Sequence, residues 1–258
     1  MKYFLPLVLL FSASLLLITA CDDDDDTATQ TGTVDITFAS LYNAANLSIQ
    51  DTGYDYPDGS KLKVQLFQYY ISDLELLPAD GGNPVRLTDI ELLKYGTAGG
   101  SHTQSLTFTD VPAGEYSGIR FGLGVKEELN NQPPSNFAAN FVLNEAEYWN
   151  DNVRYVFAKI EANVDLNDNG MFDTPVSYHM GNNSIFTTLT FNGNFSVAEN
   201  TTQEMTFAAD VYDALVADEN TFHDFSDPDQ RIVHGGNQAI SADIWNRLAN
   251  AFTLSIPQ

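Results

Sequence analysis

Four histidines, two tryptophans and one loop rich in Asp and Asn carry the chemistry that stands out in this 258-residue chain. The loop runs Asp165-Leu166-Asn167-Asp168-Asn169-Gly170-Met171-Phe172-Asp173. Side-chain oxygens fall at loop positions 1, 3, 5 and 9 (Asp165, Asn167, Asn169 and Asp173), with glycine at 6. That spacing lets a short loop fold around a calcium ion. Position 12 is Val176 rather than a bidentate glutamate, and no helical pattern flanks the loop, so it is not an EF-hand. A plain polar turn between two strands uses the same residues, because Asn, Asp and Gly accept the dihedrals such turns require. Both readings stand on the sequence.

The histidines are His102, His179, His223 and His234, and none pair at a His-x-x-x-His spacing. Imidazole and soft donors suit copper, which singles out His179 with Met180, and His234. Taken one at a time, each is equally served by a hydrogen-bonded or surface role. Trp149 and Trp245 read first as core or interface aromatics. There is no Gly-x-Ser-x-Gly, no phosphate-cradling Gly-Lys-Ser/Thr loop, no dinucleotide fingerprint and no cysteine pair for zinc. Carboxylates are so abundant that a paired-carboxylate hydrolase would match by chance. With no nucleophile–base set, the expectation is a binding protein and not an enzyme.

The segments that must position these residues are mostly strands. Val34, Ile36 and Phe38 alternate with polar residues, as do Leu62, Val64 and Leu66, and Ile119, Phe121, Leu123 and Val125. Gly118, Gly122 and Gly124 face away from the last set, which implies that something packs close there. Val156 to Val164 alternates again, with Lys159, Glu161 and Asn163 outward. Further strands are expected around Ile185–Phe191 and Met205–Ala209, and residues 126 to 153 read as a long irregular segment. Ile240, Ile244, Leu248 and Phe252 recur every four residues, which predicts an amphipathic helix over Ser241 to Phe252. Strands joined by turns without βαβ alternation predict an all-β, antiparallel sandwich with long loops and a short C-terminal helix.

The N-terminus addresses the chain to a membrane surface. Lys2, an apolar run from Tyr3 to Leu17, and small residues precede the one cysteine, Cys21. This is the layout of a secretory signal peptide. Ile18-Thr19-Ala20-Cys21 resembles a lipobox, which makes Cys21 the lipidated N-terminus of the mature protein, held on the bilayer by acyl chains rather than a spanning helix. Asp22 to Asp26 follow where a basic stop-transfer cluster would stand. They read either as a solvated tether or as an acidic export signal, placing the lipoprotein on the outer membrane at its periplasmic or cell-surface side. The expected divisions are residues 1–20 (leader), 21–32 (lipidated cysteine and acidic tether) and 33–258 (one β domain). Lys and Arg number 11 against 35 Asp and Glu, a formal charge of −24. Such a field repels nucleic acid and attracts cations.

An ordered set of segments resembles the MbnP-like family, named for a methanobactin-associated periplasmic protein. The matching stretches are Tyr69-Tyr70-Ile71-Ser72-Asp73-Leu74; Val111 to Tyr116 with Phe121-Gly122-Leu123-Gly124-Val125; Tyr148-Trp149 with Arg154 to Glu161; Tyr178-His179-Met180-Gly181; Val233-His234; and Asn246 to Phe252. The resemblance implies a β-rich extracytoplasmic domain that binds copper, with a role in copper acquisition or handling. In characterised relatives a tryptophan is oxidised to kynurenine by a di-haem cytochrome c peroxidase-like partner, and histidines complete the copper site. By position, His179 and His234 become the imidazole ligands and Trp149 the residue open to modification. The alternative is a non-catalytic cell-surface binding or interaction module, stabilised by calcium at Asp165–Asp173.

Overall fold

A computed structural model describes residues 30–234 and 238–257. The leader, Cys21 and the acidic run lie outside the described residues. In chain order the elements are β1 (Thr31–Tyr42), β2 (Ala45–Asn46), β3 (Tyr54–Asp55), β4 (Lys61–Pro78), β5 (Val85–Tyr95), β6 (Thr103–Pro112) and β7 (Gly114–Leu123). Then come α1 (Glu127–Asn130), β8 (Ala158–Asp165), β9 (Thr174–Met180), β10 (Thr187–Val197), β11 (Thr202–Asp210), α2 (Val211–Leu215), β12 (Val216–Asp218), β13 (Thr221–Phe222), β14 (Ile232–His234), α3 (Gln238–Asn250) and β15 (Phe252–Ser255).

Two sheets form the expected sandwich. One runs β15-β11-β1-β2, with β6 also paired to β1; the other runs β10-β7-β4-β8-β9-β14, with β3 and β5 also paired to β4. The period-2 alternation read in β1 and β8 is the burial pattern observed: Val34, Ile36 and Phe38, and likewise Ala158, Ile160 and Val164, are fully enclosed. The inner faces meet through aromatic rings. Phe38, Phe207 and Phe252 from one sheet surround Phe121 from the other, at centroid distances of 5.2–6.5 Å. Tyr95 of β5 donates its hydroxyl to the Phe38 carbonyl at 2.8 Å, tying the sheets with a buried hydrogen bond. The glycine face of β7 is filled as its composition implied: the Phe186 ring occupies the space a Cβ on Gly122 would need, and the Phe157 ring does the same at Gly124.

Two details depart from the sequence reading. Most pairings are antiparallel, but β1 with β11 and β14 with β9 run parallel. Local alternation fixes which face is buried, not which distant strand is the neighbour. The helix also stops at Asn250, and Phe252 begins β15, which pairs antiparallel with β11. The four-residue spacing holds through Leu248. Beyond it, Phe252, Leu254 and Ile256 alternate, and sheet pairing takes over from the helix. Among the described residues no helix is long and apolar enough to cross a membrane.

The outer face of the larger sheet positions the site. In register across it stand Lys94 of β5, Gln68 of β4, Lys159 of β8, His179 of β9 and His234 of β14. The long irregular segment lies over this row. It carries α1 and two short 3-10 turns, and one of those turns is Glu145–Glu147.

Candidate metal centre

β9 alternates: Val176, Tyr178 and Met180 point into the core, while Ser177 and His179 point out. Met180 is therefore excluded from any site with His179, being 1% exposed on the opposite face. The adjacency of His179 to Met180 in sequence separates them in space, because successive strand side chains take opposite faces.

His179 and His234, 55 positions apart in the chain, are direct register partners on parallel strands. Neighbouring strands lie about 4.8 Å apart, and the two imidazoles stack at 4.5 Å with an interplanar angle of 19°. Trp149 stands edge-on to both rings, 5.7 Å from His179 and 5.1 Å from His234. It is one of the large apolar side chains left exposed, at 42%. Trp245, by contrast, is buried against Phe157 and donates its indole N–H to Thr187 Oγ1.

Two side chains not singled out from the sequence complete the cluster. Ser177 Oγ lies 3.2 Å from His179 Nε2 and 2.9 Å from His234 Nε2. Glu161 Oε1 lies 2.7 Å from His179 Nε2. The signal for both was available: Ser177 sits two residues before His179 and so shares its face, and Glu161 was already read as outward. The contact with His179 holds the Glu161 carboxyl below its usual range. Burial, and then the neighbouring His179, lower the His234 imidazole below its ordinary 6.5.

This Ser–His–Glu contact is not a nucleophilic triad. Serine and carboxylate both meet the same ring nitrogen of His179, whereas a triad uses one nitrogen for each. Among the described residues no group of three or more His, Cys, Asp or Glu side chains forms a ready metal cage. The residues present fit copper as a pair of imidazole donors. Both Nε2 atoms are aimed at one point, marked by the Ser177 hydroxyl, and a carboxylate beside them offsets a cation's charge.

Glu147 fixes the indole over this pair. It is 3% exposed and accepts from Gln68 Nε2 at 2.7 Å, with Lys159 Nζ at 2.5 Å and Lys94 Nζ at 3.5 Å. The segment is pinned on the far side of Trp149 by Trp149 N–H donating to the Arg154 carbonyl, 2.9 Å.

The Asp165–Asp173 loop folds as a capped turn. Asp165 Oδ1 accepts from the backbone N–H of Asn167 and Asn169, and Oδ2 from that of Gly170. These contacts pull the Asp165 carboxyl down against the effect of its burial. Asn169 Oδ1 accepts from the Met171 N–H, and Asp173 Oδ1 lies 3.5 Å from Thr174 Oγ1. The loop joins β8 to β9 and lies at the opposite end of β9 from His179. Asp165→Ala is expected to lower the melting midpoint modestly, since it removes the acceptor of three backbone donors that solvent can partly replace. Melting curves with calcium or EGTA separate the two readings of the loop: an EGTA-sensitive midpoint that Asp165→Ala abolishes marks an ion, and an insensitive one leaves the turn alone.

The other histidines stand apart. His223 is 5% exposed, with Nε2 3.1 Å from Asp243 Oδ2 but outside good hydrogen-bond geometry. Burial lowers its imidazole below 6.5, only partly opposed by Asp243. An unfolded chain then takes up a proton that the folded one refuses. His223 therefore costs nothing above pH 6.5 and removes stability as pH falls below it. His223→Gln is expected to flatten the pH dependence of the melting midpoint between about pH 7 and 5. An unchanged slope would exclude His223 as its source.

The family model described as MbnP matches residues 31–233, ending one residue before His234. No curated protein matches. Among solved structures, MbnP from Methylosinus trichosporium is similar, with 15% identity and a TM-score of 0.50; the alignment covers 89% of this chain and 100% of that one. At that identity the likeness is one of fold.

Proposed function

The chain belongs to the MbnP family, and from that premise we propose that it is an extracytoplasmic, lipid-anchored copper-binding protein that takes part in copper acquisition or handling. The observation that carries this is the convergence of His179 and His234 Nε2 on one point beneath the Trp149 indole. Neutral imidazoles are good donors to copper, and the two lowest-cost changes at the site favour a cation. Burial and the second imidazole keep His234 uncharged, and Glu161 supplies a compensating negative charge. The charge of −24 draws cations toward the surface.

Copper, when bound, would supply Lewis acidity and one-electron chemistry; His179 and His234 would hold it through Nε2, displacing the Ser177 and Glu161 contacts made there in its absence and leaving Glu161 beside it as a compensating charge. Trp149, partly exposed and in contact with both imidazoles, is our candidate for oxidation to kynurenine by a di-haem peroxidase-like partner. The protein itself is read as non-catalytic. Competition titration of the mature domain with Cu(I) and Cu(II) tests the copper assignment. One site per chain is expected, and an absence of specific binding of either ion would refute it. Intact mass of protein from its native host tests the rest. Acylation at Cys21 and a gain of about 4 Da at Trp149, one carbon exchanged for one oxygen, are the expected marks. An unmodified indole in that material rules out the oxidation.

A further inference from the structure

A cleft lies beside the loop that carries Trp149, and its lining is made largely of amides with one guanidinium. It is an open cleft of about 370 Å³, within the size range of small-molecule sites. Its walls carry the side chains of Asn130, Asn131, Asn152, Asn182 and Asn183, and one cation, Arg154. No carboxylate lines it, in a chain holding 35 of them.

Three features of Arg154 bear on binding. Among the described residues it forms no ion pair, as is also true of Arg231, whereas Arg86, Arg120 and Arg247 do. Its guanidinium donates Nη1–H to the Asn131 carbonyl at 2.9 Å and lies against the Tyr148 hydroxyl, which still leaves donors of its five-donor fork for a ligand. Its backbone sits at φ 68°, a conformation that L side chains rarely adopt. That strain is held by two short backbone bonds, Arg154 N–H to the Asn150 carbonyl and Trp149 N–H to the Arg154 carbonyl. A glycine there would relieve it, so the arginine side chain is retained against local preference.

The asparagines are held in place. Asn130 Oδ1 accepts from the Tyr155 N–H and its Nδ2 donates to Asn183 Oδ1; Asn183 Nδ2 donates to Asn131 Oδ1. A partly hydrogen-bonded amide wall beside one guanidinium that has no carboxylate partner is a polar, positively biased cleft. A planar guanidinium matches a carboxylate bidentately.

The geometry points to this cleft as a binding site for a small organic carboxylate, with Arg154 as its anchor. Gly181 and Asn182 also line a neighbouring cavity that includes His179, so a ligand of two or more carboxylates has a path toward the histidine pair. The site stands whether or not the histidines bind copper.

Calorimetric titration of the metal-free domain with acetate, succinate and citrate tests it, with sodium sulfate as the control anion. Saturable binding by at least one carboxylate, weakened tenfold or more in Arg154→Ala and partly in Arg154→Lys, is the expected result. Arg154→Gly keeps the test independent of folding: it is expected to melt no lower than the wild type, while losing the ligand. Carboxylates that fail to saturate, sulfate binding as tightly as the best carboxylate, or equal binding by Arg154→Gly would each overturn the assignment.

Discussion

Replacing His179 and His234 together by alanine is expected to lower copper affinity on the order of a hundredfold or more, since changing outer partners alone typically shifts metal affinity about 10–100-fold. The fold should survive. His234 is exposed and His179 lies on the outer face of the sheet, and such sites usually change stability by within about 0.5 kcal/mol. Either single variant should fall between the double variant and the wild type, because one imidazole remains. Glu161→Gln removes the charge beside His179 but keeps its size, and an intermediate loss is expected there too. The wild-type affinity should also depend on pH in one direction. A protonated ring cannot donate to a metal, and the His234 imidazole sits below 6.5. The His234 contribution to affinity should therefore hold down to pH 6.5 and be lost as pH drops through that lowered value. A double variant that titrates like the wild type would place copper elsewhere.

Glu147→Ala should produce the largest loss of stability among the substitutions considered. Breaking a buried charged network by removing one partner typically costs about 3–5 kcal/mol, because the other charge stays buried without compensation. Here Lys159, only 13% exposed at its side chain, would lose its 2.5 Å partner, and the Gln68 amide would lose its acceptor. For a domain of this size that corresponds to a fall in Tm of roughly 10 °C. The effect should reach the metal centre, since Glu147 is two residues from Trp149 and is the anchor that lays the loop across the Gln68–Lys159–His179–His234 row. Trp149 fluorescence should shift to the red as the indole leaves the imidazoles, while buried Trp245 reports the intact core. Glu147→Gln, which keeps one hydrogen bond, should cost less. A melting point unchanged in Glu147→Ala, or an unaltered Trp149 signal, would show that the loop is held by something else.

The alternation of apolar residues in β1, β7 and β8 and the mostly sheet architecture were legible from the chain, because a half-buried strand writes its two faces into neighbouring positions. The same local rule put Glu161 outward and could have placed Ser177 beside His179. The resemblance to MbnP-like sequences named His179, His234 and Trp149, but it could not say that they touch. That required β14 to run parallel to β9 in one particular register, a pairing between segments 55 positions apart. A shift of one residue would have turned His234 toward the core.

Glu147 and Arg154 were also beyond the sequence. One is a glutamate among many, and the other an arginine in an irregular segment. Only the packed loop shows that the first is buried under two lysines and that the second sits at a positive φ without a carboxylate partner. Side-chain period is a property of adjacent residues and survives in the sequence. Strand order, register and the burial of a lone charge are set by which distant surfaces exclude water together, and those are decided only when the chain closes on itself.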